Sequence, residues 1–353
     1  MNGSRASPLR RLRVPPAARL LVVAGLLVVV GLVAVAGLVA VAGAVAADER
    51  PPRLTIVLFL IDDLGWRDLG CNGSRFYTTP HIDRLAAESA RFTDAYAACP
   101  ICSPTRAAIL TGGYPARLLT DWLPSGRWNP HARLCSARFV RSLPLEEQSL
   151  AEALRAGGYE TVHIGKWHLG GEPFSLPEHH GFDVNISGTA HGAPGSHFFP
   201  YAGDWTIPTT GLRATWNVLA DGEDGEYLTD RLATEAVRFI ERPHEKPFFL
   251  SLPHDAVHSP LQAKPEDVRR YEAVPEADRQ GTPAYAAMVE SMDAAVGRVL
   301  AALEARGRHV AAAAPREDRR HRLARTHALH AQPRRRDDPV SGCRKDRAVS
   351  ARA

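Results

Sequence analysis

Four short segments hold the residues able to do chemistry. Asp62 and Asp63 stand together at the end of an apolar run, and Cys102 opens Cys-Ser-Pro-Thr-Arg, four positions before Arg106. Lys166 and His168 lie within Gly-Lys-Trp-His-Leu-Gly, and His254 and His258 flank Asp255-Ala256-Val257 ahead of Ser259-Pro260. A nucleophile, paired carboxylates, fixed cations and imidazoles are the residue types of nucleophilic and acid–base catalysis on a charged group. Each also has a plainer reading when taken alone. Buried Cys is most often a small hydrophobe, Asp-Asp before a Gly often serves a turn, and a Lys or His after a strand is usually a solvated loop residue. The spacing of Cys99 and Cys102 also suits a redox or metal pair, although no second pair accompanies it and Pro104 and Arg106 would go unused.

What favours a common site is the kind of element that precedes each segment. Residues 53–61 (RLTIVLFLI) form an unbroken β-branched and apolar run, the pattern of a strand buried on both faces of a parallel sheet, and it stops at Asp62. The shorter runs 161–164 and 248–252 stop in the same way just before Lys166 and His168 and before His254 and His258. Ligands of open α/β sheets bind beyond the carboxyl ends of the strands, so segments far apart in sequence are expected to meet there. Helical patterns alternate with the strands. Thr79-Pro80 starts one; Ser149 to Arg155 ends another at Gly157-Gly158; Leu228, Leu232, Val237 and Ile240 mark a third; and Tyr285 to Leu303 keeps apolar residues at i, i+3, i+4 spacing for about six turns. Residues 171–226, rich in Gly, Pro, His and aromatics, read as a surface excursion lining a cleft, with His163, His179 and His180 as structural or surface residues.

Together the four segments, in this order, resemble the sulfatase family of the alkaline-phosphatase-like superfamily. The segment from Cys102 through Arg106 to Thr111-Gly112 resembles the signature in which the Cys is oxidised to formylglycine, with Thr105 where Ser is commonest. The resemblance implies an α/β fold, a mixed and mostly parallel sheet sandwiched by helices, and hydrolysis of aryl or carbohydrate sulfate esters. It implies Ca²⁺ or Mg²⁺ held by Asp62, Asp63 and the formylglycine at position 102, with Arg106 holding that hydrate. Lys166 and His258 would bind the sulfate oxygens, His258 as acid toward the leaving group, and His168 would be the base that releases sulfate. A formylglycine-generating enzyme is the implied partner, and a sulfated small molecule or glycan the implied substrate. A phosphoester or phosphonate hydrolase of the same superfamily is the alternative chemistry, and an inactive membrane-tethered remnant the alternative of another kind.

Charge is distributed unevenly. The formal net charge is +4, yet residues 1–19 carry five Arg and no acid, and residues 307–353 carry thirteen Lys and Arg against five acids, leaving residues 20–306 at about −9. The basic character belongs to the ends, and nucleic-acid binding is not implied. Arg10, Arg11, Arg13 and Arg19 precede an uncharged apolar stretch, 20–47, with Ala44-Val45-Ala46 as a cleavage site. A signal core takes ~7–15 apolar residues and a membrane span ~20, so a cleaved signal peptide and an uncleaved anchor both remain open. Either exports the body to the periplasm or the outside of the cell.

The expected organisation is a signal or anchor over 1–47, a catalytic region over 48–306, and a basic tail over 307–353. Sulfatases resembling this chain continue after the helix near Leu303 with a strand closing on an Asp-Asn pair, a further Lys, and a smaller domain. Residues 307–353 show none of these. Their Arg, His, Ala and Pro content predicts a disordered or frameshifted tail, an incomplete sheet and impaired activity. Five cysteines, at 71, 99, 102, 135 and 343, form no paired framework.

Overall fold

The computed structural model describes residues 54–118, 140–206, 213–215, 219 and 221–308, together with Leu32. The expectations for the apolar stretch 20–47, for Cys135 and Cys343, and for the tail beyond Arg308 lie outside these residues. Among the described residues no helix is long and apolar enough to cross a membrane. The chain divides into Met1–Leu54 and Thr55–Ala353, and every element below belongs to the second part.

The strands are β1 (Ile56–Ile61), β2 (Glu160–Ile164), β3 (Val184–Ile186), β4 (Asp204–Thr206), β5 (Arg213–Thr215) and β6 (Phe248–His254). The helices are α1 (Pro80–Ala87), α2 (Cys102–Thr111), α3 (Pro115–Leu118), α4 (Leu150–Ala156), α5 (Leu228–Glu241), α6 (Pro265–Glu272) and α7 (Pro283–Ala305). One sheet, in the order β1-β6-β2-β3, is parallel throughout, and β4 and β5 form a separate antiparallel pair. β6 lies inside the sheet and all seven of its residues are buried, whereas β1 at the edge is half-buried along its length.

Alternation along the strands divides the core into two layers. On one face Val57, Phe59, Val162, Leu250 and Leu252 pack with Leu228, Leu232 and Ile240 of α5 and Val299 and Leu303 of α7. On the other, Ile56, Leu58 and Phe249 meet Ala107 and Leu110 of α2, Ala151 of α4, Trp167 and Phe182. The sheet is therefore covered by helices on both faces, as its apolar strands require. Among the described residues α7 is the longest helix, and it buries the stripe expected of it, including Met288, Val289, Met292 and Val296. Ser149 caps α4 by accepting from the Glu152 amide while the Glu152 carboxylate accepts from the Ser149 amide, a reciprocal pair that fixes the helix start.

The region 171–203 departs from the surface excursion expected of it. It contains β3, and Ser175, His180, Phe182, Gly188, His191 and His197 are buried. A three-residue strand leaves no run long enough to show in the sequence, and its cover comes from residues distant in the chain. His180 is structural, its carbonyl accepting from Ser149 Oγ. His163 is likewise structural, its ring set edge-on to Trp167 and Phe182.

Candidate active site

The carboxyl ends of β1, β2 and β6 are joined through the backbone. The Val257 amide donates to the Asp62 carbonyl at 3.1 Å, and the Lys166 amide donates to the Pro253 carbonyl at 3.0 Å. This second contact depends on Gly165, which has φ +117° and whose missing Cβ would lie 2.1 Å from the Pro253 oxygen. The turn that carries Lys166 can close onto β6 only with glycine there.

Arg106 is the centre of the side-chain network. It projects from α2, is 3% exposed, and donates from Nη2 to Asp62 Oδ1 at 2.9 Å and from Nη1 to the Lys166 carbonyl at 2.6 Å. The Lys166 ammonium donates to Asp62 Oδ2. Asp62 thus receives a cation on each oxygen. Burial alone would raise its pKa, but Arg106 and Lys166 outweigh burial and hold it at about 2. Asp62, Arg106 and Lys166 are all among the residues expected to act together, and the fold brings them into direct contact.

Cys102 is the first residue of α2, half-buried, and Lys166, Asp62 and Arg106 are the charged groups that act on it. Burial raises its thiol pKa. A thiol so placed is a poor thiolate, which disfavours the redox reading. Cys71, Cys99 and Cys102 are free thiols. The Thr105 hydroxyl donates to the Cys99 carbonyl at 2.6 Å, so the residue standing in place of Ser uses its hydroxyl to hold the turn before Cys102.

His258 Nε2 lies 3.5 Å from Asp63 Oδ2. Its carbonyl accepts from His197 Nε2 at 3.1 Å, with that ring donating, and this supports the segment from below. One ligand atom each from Asp62, Asp63 and His258 fall within 4.8 Å of one another. Two hard carboxylates at that separation suit a divalent cation. Asp63 and His168 both have positive φ, +59° and +57°, in a region that residues with a Cβ seldom occupy and that collects at functional sites.

His168 is buried, and burial, followed by the charges of Lys166 and Arg106, pushes its pKa well below the usual histidine value. It is neutral at ordinary pH and able to accept a proton. Its amide donates to the Thr189 carbonyl at 3.2 Å, and its ring occupies space left by Gly192, where a Cβ would lie 2.5 Å from the imidazole. His254 is fully buried, and neither of its ring nitrogens has a hydrogen-bond partner among the described residues.

Two contributors were not singled out by sequence reasoning. Gly192 is one, in a segment read as surface. The other is Asp255, 4% exposed, whose Oδ2 has no hydrogen-bond partner among the described residues. Burial raises its pKa to about 6, against the opposing pull of Lys166 and Arg106. Its position directly after β6 was the only available signal.

The family model described as Sulfatase matches residues 55–310. The N-acetylgalactosamine-6-sulfatase of Mus musculus is 35% identical over 274 residues, covering 73% of this chain and 48% of that protein. Arylsulfatase G of Rattus norvegicus is 32% identical over 277 residues, covering 72% and 49%. The crystal structure of Ps i-CgsB in complex with k-i-k-neocarrahexaose superposes with a TM-score of 0.56 at 32% identity, over 72% of this chain and 56% of that one. The chain spans about half the length of the curated relatives it matches. Its α/β fold with a parallel sheet is that of the alkaline-phosphatase-like sulfatases, and the chain belongs to the sulfatase family.

Proposed function

We propose that these residues form a sulfate-ester hydrolase site acting on sulfated carbohydrates, with residue 102 as the nucleophile after conversion to formylglycine. The observation that carries this reading is the double attachment of Arg106 to Asp62 and to the Lys166 carbonyl. It sets the start of α2, and with it residue 102, against the ends of β1 and β2. The names of the relatives support the substrate class: one is an N-acetylgalactosamine-6-sulfatase, and another protein was solved in complex with k-i-k-neocarrahexaose.

A sulfate ester surrounds its sulfur with negative oxygens, so attack needs positive groups already in place. Arg106 and Lys166 are those groups. Lys166 and His258 bind the sulfate oxygens, and His258 protonates the departing alcohol. His168, kept neutral by its surroundings, takes the proton when sulfate leaves residue 102. A Ca²⁺ or Mg²⁺ ion, held by Asp62, Asp63 and an oxygen of residue 102, supplies further charge at the reacting group when bound. In the net reaction the ester and one water give an alcohol, sulfate and a proton.

Coexpression with a formylglycine-generating enzyme tests the reading. The peptide carrying residue 102 should lose the mass corresponding to CH₂SH becoming CHO and should react with a hydrazide. An unmodified thiol in all molecules would refute it. An N-terminal export segment, with or without membrane anchoring by residues 20–47, belongs to the same proposal, and N-terminal sequencing of the exported protein checks it.

A further inference from the structure

Asp62 has two carboxylate oxygens, and both carry a cation: Arg106 on Oδ1 at 2.9 Å, Lys166 on Oδ2. A divalent ion bound by Asp62 and Asp63 needs one of these oxygens. We propose that Lys166 Nζ and the divalent cation are alternative occupants of Asp62 Oδ2. Arrival of the cation turns the ammonium out into the cleft, where it can meet an anionic substrate. This rests on the reading of Asp62 and Asp63 as cation ligands.

Two like charges on a single buried oxygen repel in a poorly screened site, which favours withdrawal of one of the existing cations. The structure decides which. The Arg106 guanidinium is a planar fork with a second anchor, the Lys166 carbonyl at 2.6 Å, and leaving Asp62 would disturb both contacts. Among the described residues the Lys166 ammonium has no acceptor except Asp62, and it stands at the end of a flexible four-carbon stem. The Lys166 amide is tied to the Pro253 carbonyl, which confines the movement to the side chain.

The exchange couples two ligands. A cation that displaces Lys166 raises affinity for an oxyanion, and by linkage the oxyanion raises affinity for the cation by the same factor. Lys166 would then be both a substrate-binding residue and the group that makes this binding depend on the metal.

The test uses the full chain, calorimetric titration with Ca²⁺, and acetic anhydride labelling of amines read by peptide mass spectrometry. The Lys166 side chain is fully buried, so its acetylation should be slow in the presence of chelator and several-fold faster with Ca²⁺. Lys166→Met should bind Ca²⁺ more tightly by ~5–100-fold, the usual range for coupled sites, and Lys166→Arg should not. Ca²⁺ binding equal in wild type and Lys166→Met, with Lys166 no more reactive, overturns the exchange while leaving the cation site intact. If neither Ca²⁺ nor Mg²⁺ binds to either protein, the exchange and the cation reading fail together. Because the labelling is done on the wild-type chain, it decides the question even if Lys166→Met does not fold.

Discussion

Arg106 and Asp62, 44 positions apart in sequence and both buried, are joined at 2.9 Å between Nη2 and Oδ1. This pair fastens the first turn of α2 to the end of β1, so the start of the helix and the carboxylate it faces hold a fixed relation. Breaking a buried pair leaves a buried charge without its partner and commonly costs ~3–5 kcal/mol. Lys166 remains on the other Asp62 oxygen, which puts Arg106→Met at the lower end, about 3 kcal/mol in urea unfolding. Arg106→Lys should not restore the loss, since one ammonium cannot reach Asp62 and the Lys166 carbonyl together. Full stability in either variant would show that the pair is not structural.

The Thr105 hydroxyl bond to the Cys99 carbonyl, at 2.6 Å, predicts a graded response. Thr105→Val removes the donor and should cost about 1 kcal/mol in thermal or urea unfolding. Thr105→Ser keeps the hydroxyl and should stay within about 0.5 kcal/mol of wild type. A loss in Thr105→Ser with none in Thr105→Val would instead assign the effect to packing of the methyl group.

Gly192 and His168 predict a change in activity with little change in the fold. An alanine Cβ at 192 would stand 2.5 Å from the imidazole, so Gly192→Ala must displace the ring. Misplacing a catalytic group by ~1 Å can cost on the order of 10²-fold in rate. Sulfate-ester turnover should fall by about that factor, with an overpacking cost of ~1–3 kcal/mol. Unchanged turnover would remove His168 from the reaction.

Stability should decline in mild acid. Burial lowers the pKa of His163 to about 3 and those of His197 and His254 to about 4. Unfolded histidines protonate near pH ~6.5 while these stay neutral in the fold, so stability is complete above that pH and is lost as pH falls toward 4. Each contributes a slope of ~1.4 kcal/mol per pH unit within the window. Asp255, raised to about 6, acts in the opposite sense and adds stability as pH falls through 6, as does Asp293, which burial also raises, but these two oppose six histidines lowered by burial, the three above with His168, His180 and His191. The urea midpoint should therefore be lower at about pH 5 than at about pH 7.5. A flat or rising profile would contradict the burial of these rings.

The sequence shows the ends of β1, β2 and β6 because each is an apolar run that halts at polar residues, and helices at those steps follow from spacing. It shows less of the floor of the site. β3 has three residues and no run to detect, and Gly192 looks like loop glycine until the His168 ring is seen against it. Asp255 sits between two expected histidines, but whether an acid is buried depends on what covers it, here the convergence of β6 with the Lys166 turn. The pairing of Lys166 with Asp62 is equally hidden, since the family resemblance gives one a role toward sulfate and the other a role toward metal.

Attack of residue 102 on a sulfate ester is read out by initial rates on an aryl sulfate and the matching aryl phosphate, using the chain coexpressed with a formylglycine-generating enzyme and Cys102→Ala prepared in the same way. Hydrolysis of the sulfate should require the cation, exceed that of the phosphate and be abolished in Cys102→Ala. Hydrolysis that survives Cys102→Ala, or that prefers the phosphate, would rule out this role of residue 102.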